Sequence, residues 1–122
     1  MRRRTYHNAE RHGRRAEFLC GWLLRLKGYR IVARHWKSSS GEIDIIARRG
    51  RQLVFIEVKA RRDATSAAES LSRKQQARIA RAASQFLASR PALGSLDLRF
   101  DIMLVVPWRL PLHVPAAWSV LN

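Results

Sequence analysis

The chain has 122 residues, 47% of them hydrophobic, and 24 Lys and Arg stand against 9 Asp and Glu for a formal net charge of +15. That length and apolar content suit one compact domain, and such a charge makes polyanions, nucleic acid above all, the natural partners. The single cysteine, Cys20, excludes an intramolecular disulfide, the scattered His7, His12, His35 and His113 offer no zinc spacing, and no apolar run approaches the roughly 18 residues of a membrane span.

The basic residues are 20 Arg and 4 Lys, a ratio that favours forked contacts with phosphate, although an Arg-rich coding bias or RNA association would leave the same mark. Arg2-Arg3-Arg4 is followed by polar and charged residues, not by an apolar stretch, so no secretion signal is expected and the expected location is the cytoplasm. One domain spanning 1–122 is expected, with residues 1–8 as a flexible, poorly ordered basic arm. Ala16, Leu19, Cys20, Leu23 and Leu26 then recur at helical spacing until Gly28, predicting a first helix.

Tyr29 to Trp36 reads as a short edge strand, followed by a polar turn from Lys37 to Gly41. From Glu42 to Lys59 the period becomes two on both sides of Arg48-Arg49-Gly50-Arg51, predicting a hairpin with strands near 42–48 and 53–59 and Gly50-Arg51 as a type II′ turn. A polar loop follows from Arg61 to Ser70. Ser72 and Gln75 form a capping box for a second helix whose apolar stripe is Ile79, Ala83, Phe86 and Leu87. Leu96 to Val106 reads as a strand covered on both faces. The Pro-interrupted tail holds Trp108, Leu110, Leu112, Val114 and Trp118, expected to pack back as core in preference to stacking on bases. The order α-β-β-β-α-β predicts an α/β fold with a central mixed β-sheet flanked by helices.

The acids of this basic chain concentrate in the hairpin. Alternation puts Glu42, Asp44 and Ile46 on one face of the first strand and Ile43, Ile45 and Ala47 on the other, while Phe55, Glu57 and Lys59 share a face of the second. The turn pairs Arg49 with Gln52, so Asp44 falls across from Glu57, with Lys59 two residues further along. Two carboxylates directly opposite destabilise a sheet unless a cation sits between them, and an oxygen-rich site of this kind suits Mg²⁺ or Mn²⁺. The matching chemistry is metal-assisted phosphodiester hydrolysis, with Lys59 orienting water or neutralising developing charge. Simple ion pairing of Asp44 and Glu57 with nearby Arg residues or Lys59 explains the same spacing.

Gly41-Glu42-Ile43-Asp44-Ile45-Ile46-Ala47, followed by Val54-Phe55-Ile56-Glu57-Val58-Lys59-Ala60-Arg61, resembles the bacterial YraN-like family of the PD-(D/E)xK nuclease superfamily. The likeness takes in Gly13, Arg14, Ala16 and Glu17, then Lys74-Gln75, and then Arg99-Phe100-Asp101. It is similar as well to archaeal Holliday junction resolvases, in which an acid on the first helix joins the Asp and Glu-x-Lys set. The resemblance implies a restriction-endonuclease-like fold, with Glu17, Asp44 and Glu57 as metal ligands and Lys59 as the fourth catalytic residue. Gln75, for which a plain capping role is the favoured reading, and Glu42 would support the ligands from behind. Asp101, in an apolar strand, is expected to bond an Arg or backbone groups as structural support. His35 and Cys20 stand where the family commonly has Asn and Ala, and neither is expected to touch the metal set.

Two functions follow as expectations. One is a metal-dependent endonuclease acting on structured or branched DNA, with Mg²⁺ or Mn²⁺, with DNA in preference to RNA, and with a homodimer as a candidate assembly. The alternative is a non-catalytic nucleic-acid-binding module with a vestigial nuclease site.

Overall fold

A computed structural model describes the backbone of residues 2–62 and 71–119 and the side chains of 14–62 and 71–119. The polar loop expected at 61–70 falls almost wholly outside these residues, as do the side chains of the basic arm, whose backbone from residue 2 is helical and continuous with the first helix.

Helix α1 (Arg2–Leu26) ends as Gly28 demands. Gly28 takes a φ of 93°, its N–H bonds the Arg25 carbonyl and the Tyr29 N–H reaches back to Leu24, the paired closing bonds of a Schellman motif. Strands β1 (Arg30–Lys37), β2 (Glu42–Arg49) and β3 (Gln52–Ala60) follow as consecutive antiparallel neighbours. The turn between β2 and β3 confines positive φ to Gly50, at 60°, as a type II′ turn requires, and Arg49 pairs with Gln52 as expected. Helix α2 (Arg73–Ser89) starts from the Ser72–Gln75 capping box and buries Ile79, Ala82, Ala83 and Phe86. It carries the chain over to β4 (Asp97–Val105), which runs parallel to β3.

The five strands lie in the order β1-β2-β3-β4-β5, with β1 at an edge, and the mixed sheet is covered by α2 on one face and α1 on the other. The fifth strand, β5 (Leu112–Trp118), was not expected. Pro111 and Pro115 argue against a strand interior, yet an edge position tolerates a residue that cannot donate to the ladder. The register of β5 on β4 shifts between Phe100 and Ile102, and Ala116 takes a φ of 50° there.

Three packing expectations are corrected. On α1 the buried side chains are Ala16, Cys20 and Leu24, while Leu19 and Leu26 face outward and Leu23 is half-buried, because the sheet meets the helix one residue round from the predicted stripe. On β2, Ile45 and Ala47 pack towards α1 but Ile43 packs with Ile46 towards α2, so the alternation breaks at Asp44. In the tail Trp118 packs on Phe100 at 4.3 Å and Val114 is half-buried, but Trp108 and Leu110 project into solvent.

Candidate functional site

The break at Asp44 builds the site. The β2–β3 ladder runs from Arg49↔Gln52 to Ile45↔Ile56 and stops. In the same register Val58 would next exchange backbone bonds with Ile43; instead its N–H donates to Asp44 Oδ2 at 2.8 Å. The carboxylate thus replaces a backbone acceptor, and the strands part where Asp44 and Glu57 face one another close enough to share a proton.

On the other side of β2, the pairs Arg34↔Ile45 and Trp36↔Ile43 flank His35 and Asp44, which places His35 beside Asp44. His35 takes a φ of 48°, a left-handed conformation rare for residues other than glycine. His35 Nε2 contacts the Glu17 carboxylate, and Nδ1 meets Glu42 Oε1 at 3.0 Å. One carboxylate oxygen each from Glu17 and Asp44 and a ring nitrogen of His35 all lie within 4.8 Å of one another. Lys59 Nζ stands 3.6 Å from Glu57 Oε1, with both side chains largely buried.

The four residues singled out from sequence, Glu17, Asp44, Glu57 and Lys59, therefore converge from α1, β2 and β3. His35 is the residue that sequence reasoning missed, and the expectation that it lies off the metal set is overturned. Its signal was available: closing the β1–β2 hairpin with Lys37 opposite Glu42 puts His35 opposite Asp44. Glu42 serves this imidazole. Gln75 spends its side-chain oxygen on the Ser72 N–H, as a capping residue does. Cys20 stays in the core beneath the acids, its thiol pushed up to about 12 by burial and then by the charges of Glu17 and Asp44, which makes it a poor nucleophile. Asp101 is fully buried on the far strand, held by Arg99, His113 and the Ala116 N–H, and acts structurally as expected.

Burial, then the charge of Asp44, pushes Glu17 up to about 7, with His35 pulling the other way. Burial and Asp44 likewise push Glu57 up to about 8 against the pull of Lys59. Asp44 is raised by burial in spite of the bonds it accepts from the Val58 N–H and from Glu57. Crowded into a half-buried space, Glu57 holds its proton at neutral pH and Glu17 is shared between its two forms, and a divalent cation would displace these protons. The donor set fits such a cation: carboxylate oxygens suit Mg²⁺ and Mn²⁺, and the imidazole shifts the preference towards Mn²⁺.

Residues 16–105 match the family described as "Uncharacterised protein family UPF0102". A UPF0102 protein of Paramagnetospirillum magneticum is 50% identical over 121 residues, covering 96% of this chain and 94% of that protein. Others from Parvibaculum lavamentivorans and Mesorhizobium japonicum are 54% and 47% identical, each over 90% of this chain and over 83% and 88% of their own lengths. The chain thus has the mixed α/β fold of a five-stranded sheet between two helices, with an acidic cluster at the opening of its central hairpin. It belongs to the UPF0102, or YraN-like, family.

Proposed function

We propose that this protein is a metal-dependent endonuclease of the restriction-endonuclease-like class, hydrolysing phosphodiester bonds in structured or branched DNA. The observation that carries the reading is the convergence of Glu17, Asp44, Glu57 and Lys59, from three separate elements, on one partly buried point of a chain with net charge +15. Against simple ion pairing stands the incomplete neutralisation of the acids: with His35, Arg34 and Lys59 as basic neighbours, Glu17 and Glu57 still remain raised to about 7 and 8.

Glu17, Asp44 and His35 would hold the cation, with Glu57 adjoining through Asp44. A divalent ion bound there supplies charge neutralisation at a phosphoryl oxygen and a more acidic water. Glu57 would orient Lys59, and the Lys59 ammonium would face the negative charge that grows on the phosphoryl oxygens as water adds to phosphorus, loses a proton, and the ester oxygen departs with a proton.

A cleavage screen over duplex, flap and four-way DNA with Mg²⁺ or Mn²⁺ tests this. Cleavage by the wild type is expected, with Lys59→Met and Asp44→Asn abolishing it and leaving DNA affinity nearly unchanged, since Lys59 is one of 24 basic residues. If Lys59 only neutralises Glu57, Lys59→Met instead costs on the order of 3 to 5 kcal/mol of stability above pH 8, where Glu57 is ionised, and adding Glu57→Gln recovers most of it. That rescue would defeat the catalytic role. Tight DNA binding without cleavage of any substrate would leave a binding module.

A further inference from the structure

Beside the acidic cluster, a groove of about 810 Å³ opens between α1, the end of β3 and the β4–β5 turn. Ala16 and Ala60, which line it, are the chain neighbours of Glu17 and Lys59, and Arg15 and Arg61 flank them, so the groove adjoins the acidic set. Arg62 and Arg109 also line it, and among the described residues no carboxylate forms an ion pair with any of these four arginines.

The turn at its rim is unusual in its choice of residue. The Arg109 N–H bonds the Val106 carbonyl, Pro107 takes the second position, and Trp108 takes the third with a φ of 65°. This is the type II arrangement, whose third position normally belongs to glycine because a Cβ is strained there. An indole stands in the glycine slot, and it is 102% exposed. Pro107 stiffens the turn, so the ring is displayed without a cost in ordering. Strain kept at an exposed aromatic, beside arginines that pair with no carboxylate among the described residues, is the pattern of a ligand contact.

We propose that this groove binds single-stranded DNA, with Trp108 stacking on an unpaired base and Arg15, Arg61, Arg62 and Arg109 holding the flanking phosphates. The proposal deepens the nuclease reading, on which it rests for the choice of nucleic acid: it makes the substrate a DNA with an unpaired segment next to the bond to be cut. The rest of the described lining is Ala, Leu, Val and Pro, so among the described residues no side chain there accepts the hydrogen of a ribose 2′-hydroxyl. A continuous duplex keeps its bases stacked inside and offers Trp108 no ring.

The test is fluorescence anisotropy in EDTA, so that cleavage plays no part, with labelled oligo(dT), oligo(rU) and blunt duplex. Trp108→Gly removes the ring and relaxes the backbone, so the variant should melt no lower than the wild type. It should bind oligo(dT) roughly ten- to a hundredfold more weakly and blunt duplex nearly as before, and Trp108→Phe should recover much of the loss. Unchanged oligo(dT) binding by Trp108→Gly overturns the proposal, as does an equal loss on duplex or tighter wild-type binding of oligo(rU). Cleavage by the wild type with Trp108-independent binding would remove the groove and leave the nuclease. Trp108-dependent binding with no cleavage of any substrate would do the reverse.

Discussion

Glu57 and Glu17 are held well above the usual carboxylate range because burial and the charge of Asp44 outweigh the help they receive, and this has a definite sign in stability. An acid whose pKa is raised by folding keeps its proton better in the native state, so stability falls as pH rises from the unfolded to the folded value. For Glu57 that window runs from 4.5 to about 8, and for Glu17 from 4.5 to about 7. The metal-free protein should therefore be less stable at pH 8.5 than at pH 5.5, by on the order of a few kcal/mol after allowance for solvent screening. Thermal melts in EDTA would read it. Glu57→Gln should flatten the dependence, and Mn²⁺ should restore stability at pH 8.5 for the wild type but not for Asp44→Asn. A wild-type melting temperature equal at both pH values would count against a crowded acidic site.

At the scale of elements, β5 is the strand whose attachment needs most explanation, since Pro115 gives no N–H and its register on β4 shifts. Asp101 repairs the ladder: its Oδ1 accepts the Ala116 N–H at 2.9 Å, while Oδ2 takes His113 Nε2 at 2.6 Å and Arg99 NH2 at 2.8 Å. Burial would raise this carboxyl, but the bonds from His113, Arg99 and Ala116 outweigh it and hold it below the usual range. Its contribution is accordingly present above pH 3.8 and lost on further acidification, the opposite sense to Glu57. Asp101→Ala would strand a largely buried Arg99 and His113 together, and should cost about 3 to 5 kcal/mol in urea unfolding. His113→Ala leaves Arg99 paired, and should cost about 1 to 3 kcal/mol. A loss below about 1 kcal/mol for Asp101→Ala would mean that β5 is held by Trp118 on Phe100 and not by this cluster.

For the whole molecule the governing quantity is the charge of +15, which attracts any polyanion and cannot by itself choose among them. Binding to single-stranded DNA should be strongly salt-dependent: four phosphate contacts on a single strand correspond to roughly a fiftyfold loss of affinity between about 50 and about 200 mM salt. Titration at several salt concentrations gives the slope, and substitution of one groove arginine such as Arg109→Ala should reduce it by about one contact. A flat dependence would show that the positive surface is not the binding surface.

The sequence alone determined whatever closes through short loops or a single periodic element. Gly50 set the β2–β3 register and so put Asp44 against Glu57, Ser72 and Gln75 set the start of α2, and the apolar run set β4, because each signal lies within a few residues of the structure it specifies. Tertiary structure decided what depends on partners far along the chain. The face of α1 that is buried follows from how the helix meets the sheet, and β5 exists because β4 offers an edge that tolerates proline. His35 reached Glu17 through a positive φ in β1 that no periodicity announces. Trp108, apolar and therefore read as core, stands in solvent because its turn closes on β4 before any surface is left to cover it.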